Sequence, residues 1–262
     1  GRCPAAPRRA MLRRRYRFPG HPMLLIDQGN TRTKFGRVQR GRVQRIAVVP
    51  TAEAASAVAA LPLEGLAAAA GVSSAGPARD ALTAALAARG LATRWIVSAH
   101  AGGLRLSYRE PARLGADRYA AMRGAWAEVG AAVVVIDAGT AITIDALDAH
   151  GRQVAALLLP GFGLQRAALA RGTAAVRPRA TPRLQLAARD TNGAVEAGLW
   201  TAVLGALDRV VAAVQPQRVL ATGGDAPLLL RRWQGPVPIR HRPELVLAGV
   251  WRATDEPIER VR

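Results

Sequence analysis

The chain has 262 residues, half of them hydrophobic, which is enough to bury one large core or two small ones. Its longest apolar runs, 131–136 and 155–159, stop well short of the ~20 residues that cross a bilayer, so they read as buried strands and no membrane span is expected. The formal charge of +19 invites a nucleic-acid reading, but Lys34 is the only lysine among 37 basic residues and aromatics are 4%, so the arginines read as the bias of a GC-rich genome and nucleic acid is not expected as a partner.

Residues 1–22 carry seven arginines (Arg2, Arg8, Arg9, Arg13, Arg14, Arg15 and Arg17), no acid and no apolar stretch of signal-peptide length. They are expected to form a disordered basic extension, with Met23 as the natural first residue because the first strand starts there. The single cysteine, Cys3, falls in this extension. That leaves no disulfide framework or thiolate metal site and makes the cytoplasm the expected location.

From Met23 onward short apolar runs alternate with alanine-rich stretches. Strands are predicted over 23–27, 33–38 and 45–49, with hairpin turns at Gly29-Asn30 and Gly41. A helical stretch over 51–61 leads to a buried strand at 65–73. Pro77 at its start and Gly90 past its end delimit a helix over 77–89. A strand at 93–97 and a helix over 115–128 follow, and the first domain is expected to span 23–125.

Near residue 131 the plan starts again, in a second domain expected over 126–262. Strands are predicted at 133–137, 142–147 and 154–159, with turns at Gly139-Thr140 and His150-Gly151, then a helix over 162–171. In a long helix over 190–214, Val195, Leu199, Val203, Leu207, Val210, Val211 and Val214 form one apolar stripe at helical spacing and read as core. A strand at 218–221 ends in Thr222-Gly223-Gly224, and a helix follows over 226–233. His100, His150 and His241 show no metal-ligand spacing and read as surface or turn residues; the five tryptophans are too dispersed for a stacking platform and read as packing.

The restart carries a chemical echo. Asp27-Gln28-Gly29-Asn30-Thr31 in the first half matches Asp137-Ala138-Gly139-Thr140 in the second, each at the end of a buried strand opening a tight turn. Glycine lets backbone N–H groups approach an anion, threonine and asparagine add short donors, and the strand-end aspartate offers a carboxylate to a metal ion or water. One such turn would read as an ordinary Asx-type hairpin. Two at matching points, with Thr222-Gly223-Gly224 after a third strand, favour a nucleotide site between two related α/β halves. Lys34, kept where arginine is the habit, reads as a compact point charge.

Six motifs in order resemble those of the type III pantothenate kinases, within the actin-like ATPase and acetate and sugar kinase superfamily. They are D-Q-G-N-T-R-T-K (Asp27 to Lys34), L-G-A-D-R (Leu114 to Arg118), D-A-G-T-A-I-T-I-D (Asp137 to Asp145), Leu159-Pro160-Gly161, Thr191 with Gly198, and Thr222-Gly223-Gly224-Asp225-Ala226. The resemblance implies two ribonuclease H-like, actin-type α/β domains, mixed sheets flanked by helices, with a cleft between them. It implies ATP-dependent phosphorylation of pantothenate to 4′-phosphopantothenate, with Mg²⁺ and a monovalent cation (K⁺ or NH₄⁺). By the same resemblance Asp27, Gln28, Gly29, Asn30, Thr31, Arg32, Thr33, Lys34 and Thr140 would bind ATP, Asp27 would also hold Mg²⁺, and Asp137 the monovalent cation. Asp117 would be the general base, and Tyr108, Gly115, Ala116, Asp117, Arg118 and Thr191 would line the pantothenate pocket, with Arg118 as a carboxylate partner. A homodimer with pockets at the subunit interface is implied too, the helix over 190–214 being a candidate interface element.

Two departures stand out. Gln28 replaces a small aliphatic residue and is expected to alter only strand packing. Ala155-Ala156 stand where many relatives carry Gly-Gly, and are expected to narrow the space beside the substrate. The competing readings are a non-enzymatic transcriptional accessory or nucleic-acid-binding factor on the same fold, and another phosphotransferase or phosphohydrolase of the superfamily. Intact Asp27, Lys34, Asp117 and Asp137 favour the enzyme, and Leu114 to Arg118 favours the pantothenate substrate.

Overall fold

The computed structural model describes residues 22–98, 103–174, 176–180 and 185–254. The basic extension up to residue 21, with Cys3, and His100 lie outside the described residues.

The first half opens with an antiparallel meander of β1 (Met23–Gln28), β2 (Arg32–Gln39) and β3 (Arg42–Pro50). Arg40 and Gly41, both at positive φ, make the two-residue turn between β2 and β3, a backbone that suits the twist of the flanking strands. A short helical passage, Thr51–Ala60, contains the single turn α1 (Ala54–Ala57) between two 3₁₀ turns. Then β4 (Ala68–Ser73) pairs parallel with β1, α2 (Gly76–Ala88) crosses over, and β5 (Ala92–Trp95) pairs parallel with β4. The sheet order is β3-β2-β1-β4-β5. After α3 (Ala116–Val129) the plan repeats with β6 (Val133–Ala138), β7 (Ala141–Leu147), β8 (Gln153–Pro160), α4 (Phe162–Gly172), α5 (Thr191–Val214), β9 (Arg218–Thr222), α6 (Ala226–Arg232) and β10 (Ile239–His241). The second sheet, β8-β7-β6-β9-β10, has the connectivity of the first. The expected doubling of one mixed α/β unit is therefore observed strand for strand.

Each sheet has an outer and an inner face. Outside the first, Leu24, Ile26 and Phe35 pack with Leu82 and Leu86 of α2. Outside the second, Ile136, Ile142 and Ile144 pack with Leu199, Val203, Leu207, Val210 and Val211 of α5. By length and composition α5 would also cross a bilayer, yet its expected stripe lies on this sheet as a core helix does. Trp95, Trp200 and Trp233 pack in these clusters and Trp126 and Trp251 in a third between the sheets, so the packing reading of them holds.

The inner faces meet through a third cluster. Leu25, Ala70 and Val72 of the first sheet and Val133, Val135, Leu147 and Leu220 of the second close on α3 and on α7 (Leu245–Ala253). The two helices touch backbone to backbone. A Cβ on Gly124 would lie 2.6 Å from the Leu245 carbonyl oxygen, so only glycine fits there. The expected division between residues 125 and 126 thus falls inside α3, which is continuous to Val129 because it is the shared wall of both sheets. β10 and α7 have no counterpart in the sequence reading. β10 is three residues long and α7 nine, both short of the window of about 11 residues over which a period can be read. His241, expected at the surface or in a turn, is half-buried in β10.

Candidate active site

The β1–β2 turn is built from its own residues. Gly29 N donates to Arg32 O at 3.0 Å, and Thr51 Oγ1 donates to Gly29 O at 2.7 Å. Strand alternation then sorts the side chains. Asp27 and Lys34, direct cross-strand partners, face inward and form an ion pair, Lys34 Nζ to Asp27 Oδ2 at 2.9 Å. Burial would lower the Lys34 pKa, but Asp27 and Asp137 outweigh it and hold the ammonium above its ordinary value. Gln28 and Thr33 face the other way. Gln28 is buried and accepts from Ser73 Oγ at 2.8 Å, and Thr33 Oγ1 meets Thr51 Oγ1 at 3.2 Å. Those two side chains, expected at ATP, stand behind the sheet, so only their backbone belongs to the loop. Asn30, Thr31 and Arg32 form its exposed tip.

The β6–β7 turn answers it. Gly139 N donates to Ala141 O, and Gly161 N to Thr140 O, both at 3.0 Å. Gly161 must be glycine, since a Cβ would sit 2.3 Å from Gly139 O. Gly223 (φ +90°) passes so close that its Cβ would be 2.5 Å from Asp137 Oδ1, which brings the Thr222-Gly223-Gly224 turn against this loop. The tips of the two loops touch: Thr31 Oγ1 and Thr140 Oγ1 are 3.0 Å apart. Asp137 at the root of the second loop is pushed up to about 7, first by burial, with Lys34 opposing and the charges of Asp27, Asp117 and Asp145 reinforcing the rise.

Asp117 lies in the first turn of α3, capped by Gly115. Its Oδ1 accepts from Arg118 N at 2.8 Å, and a Cβ on Gly115 would stand 2.6 Å from that same oxygen, so Gly115 makes room for the carboxylate. Burial raises the Asp117 pKa, the Arg118 amide holds it back, and Asp27 adds to the rise. Arg118 reaches into the second half. Its Nε and Nη2 donate to Asp145 Oδ2 and Oδ1 at 2.9 and 2.7 Å, and its Nη1 to Tyr108 Oη at 2.9 Å. The arrangement joins a glycine cradle, one ammonium and a carboxylate of raised pKa, which are the parts that bind phosphates and accept a proton from an alcohol.

A model of the type III pantothenate kinase family matches residues 23–213. The type III pantothenate kinase of Aromatoleum aromaticum is 41% identical over 236 residues, covering 87% of this chain and 96% of that protein. That of Azoarcus sp. is 36% identical, covering 87% and 89%. The chain belongs to the type III pantothenate kinase family. For the fold alone, a Baf-family protein from Campylobacter jejuni superposes with a TM-score of 0.58 at 18% identity, covering 86% of this chain and 94% of that one. Component A of (R)-2-hydroxyglutaryl-CoA dehydratase from Acidaminococcus fermentans does so at 0.50 and 15%, covering 89% and 96%.

Set against that family, the structure brings Asp27, Asp117 and Asp137 within one another's electrostatic reach, with Lys34 beside Asp27 and Asp137, and puts Gly115 and Ala116 next to Asp117 and Tyr108 against the Arg118 guanidinium. Two expectations change. The Arg118 fork, read as a bidentate partner for the substrate carboxylate, is already engaged with Asp145, and among the described residues three of its five N–H groups are used. Thr191, expected in the pocket, opens α5 on the exposed surface, and among the described residues no hydrogen bond ties it to Asp117. Ala155 packs into the second outer core, and only Ala156, opposite Asp145, is exposed on the inner side. Asp145, Gln153 and Ser107 went unread. Asp145 closes the second loop motif, but nothing in its spacing announces that its partner is Arg118.

The residues present fit magnesium-bound ATP. Among the described residues no cluster of three histidine, cysteine or acidic side chains could hold a metal by itself, as suits Mg²⁺, which takes one or two carboxylates and completes its shell with phosphates and water. A monovalent cation fits at Asp137, whose charge is poorly compensated. The Thr222 hydroxyl, on the strand paired beside it, is buried without a protein partner.

Proposed function

We propose that the chain is an ATP-dependent pantothenate kinase making 4′-phosphopantothenate, the first step towards coenzyme A. The contact between Thr31 and Thr140 carries this reading, because it sets the two glycine turns face to face above three mutually sensed aspartates. In the reaction the primary hydroxyl of pantothenate attacks the γ-phosphorus of ATP in line, ADP leaves, and Asp117 takes the hydroxyl proton. The raised pKa of Asp117 makes it a better proton acceptor than an exposed aspartate. The backbone from Asp27 to Lys34 and the Thr140 hydroxyl cradle the phosphates, and Lys34 neutralises charge that shifts onto them. Mg²⁺ at Asp27, directly or through water, and K⁺ or NH₄⁺ at Asp137 add fixed positive charge when bound.

Pantothenate lies between Tyr108, Gly115, Ala116 and Arg118, whose N–H groups not engaged with Asp145 or Tyr108 face its anionic end. Thr191 completes the pocket from a second copy of the chain, a homodimer supported by its exposure and by the small outward residues Ala194, Gly198, Ala202 and Gly205 of α5. The enzyme works in the cytoplasm, where ATP is available.

A coupled assay of phosphate transfer to pantothenate, with and without K⁺ or NH₄⁺, tests the activity. Asp117→Asn should lower kcat on the order of 10²–10⁴-fold while the fold is kept. A parent chain that leaves pantothenate unphosphorylated, or an Asp117→Asn variant as active as the parent, would refute the mechanism.

A further inference from the structure

Asp145 touches neither loop tip, yet it is among the most buried charges in the molecule, 2% exposed, and the side chains around it form one relay. Ser107 donates to Gln153 Oε1 through both N and Oγ at 3.1 Å. Gln153 Nε2 donates to Asp145 Oδ1 at 2.8 Å, and Asp145 holds the Arg118 fork through both of its oxygens. The amide of Arg118 then holds Asp117 Oδ1. Neighbouring Ser107 in sequence, Tyr108 is tied to the same guanidinium through its hydroxyl. Both the turn that carries Asp117 and the segment that carries Tyr108 therefore lean on one carboxylate of the second sheet.

We propose that Asp145, backed by Gln153, is a positioning residue for phosphoryl transfer: it fixes the first turn of α3 through Arg118 and so aims Asp117 at the substrate hydroxyl. The inference rests on Asp117 being the base. A buried ion pair adds little net stability compared with apolar residues of the same volume, whereas a proton acceptor displaced by about 1 Å loses on the order of 10²-fold in rate. The geometry of the pair serves the second need. It crosses from α3 to β7, so the aim of the base is referred to the half of the molecule that carries Asp137 and Thr140.

The charged groups sensed by Asp117 are Asp27 on β1 and Arg118 on its own helix, and Asp117 is sensed in turn by Asp137 on β6 and Asp145 on β7. Removing the Asp145 charge leaves Arg118 uncompensated beside Asp117, which favours the carboxylate.

The test is steady-state kinetics of the full chain and of Asp145→Asn across pH, with pantothenate and ATP varied separately. Asp145→Asn is expected to lower kcat on the order of 10- to 100-fold, to leave KM for ATP unchanged, and to move the acid limb of the rate profile to lower pH. Gln153→Met, which keeps the Asp145 charge but removes its backing hydrogen bond and the two that Gln153 accepts from Ser107, should shift kcat and the acid limb in the same direction by less; it decides the matter should Asp145→Asn not fold. A variant that loses thermal stability but keeps the parent kcat and acid limb would make the relay purely structural and overturn the inference while leaving the kinase intact. A parent chain inactive on pantothenate would instead overturn the activity, and the inference with it.

Discussion

The two glycine turns share a scaffold but solve different electrostatic problems. In both halves an aspartate ends the central strand and faces the cleft. On the first sheet its cross-strand partner is Lys34, and the pair closes at 2.9 Å. On the second sheet the matching partner of Asp137 is Thr143, which carries no charge, and the Asp137 carboxyl is driven up to about 7. A single position in a repeated hairpin therefore separates a half that holds its own cation from one whose carboxylate faces an uncharged partner, the place where we propose that K⁺ or NH₄⁺ binds.

Removing the built-in cation should have the largest effect. Lys34→Ala makes the first half resemble the second and strands Asp27; kcat/KM for ATP should fall on the order of 10²–10³-fold, with partial recovery in Lys34→Arg because the charge returns on a bulkier, planar group. An unchanged kcat/KM would mean that Lys34 only buttresses the hairpin. The converse exchange has a smaller effect. Thr143→Lys gives the second half an ammonium opposite Asp137, and activity without K⁺ or NH₄⁺ should rise about tenfold, equivalent to ~1.4 kcal/mol of barrier. If the cation requirement is the same as in the parent, Asp137 does not hold that ion.

The smallest effect is thermal. A carboxyl whose folded pKa is raised holds its proton better in the folded state, so the protonated form favours folding at low pH, and this advantage fades as pH rises from the ordinary aspartate range through about 7. K⁺ held at Asp137, as proposed, would bind the ionised form and favour the folded state by mass action. The gain in Tm from added K⁺ should therefore be larger at pH 8 than at pH 6. Equal gains would assign the cation to another group.

Strands and loops were legible wherever chemistry and period coincide. The Asp-x-Gly turns, Lys34 among arginines, the Pro77–Gly90 brackets and the α5 stripe all followed from local rules. Long-range partners did not. Arg118 reads as free in sequence because nothing local betrays Asp145, 27 residues away on β7. Gln28 and Thr33 sit inside a phosphate-loop motif, and only the pleat, together with Ser73 and Thr51, turns their side chains away. Glu196, buried within the apolar-looking α5, is matched by Arg166 of α4 through two contacts at 2.6 and 2.8 Å. α7 was hidden because nine residues make too short a window for its stripe to be read.

The placement of α7 has a consequence for how the molecule comes into being. It is the last described helix, yet it lies on β1, the first strand, and against α3, the helix that carries Asp117. Residues through Ala253 must therefore be synthesised before the inner face of the first sheet can be covered. The meander β1–β3 can form early from neighbouring residues, whereas closing the seam awaits contacts across almost the full sequence, a slow class of event. A nascent chain halted before residue 245 would therefore expose an apolar sheet face to its neighbours.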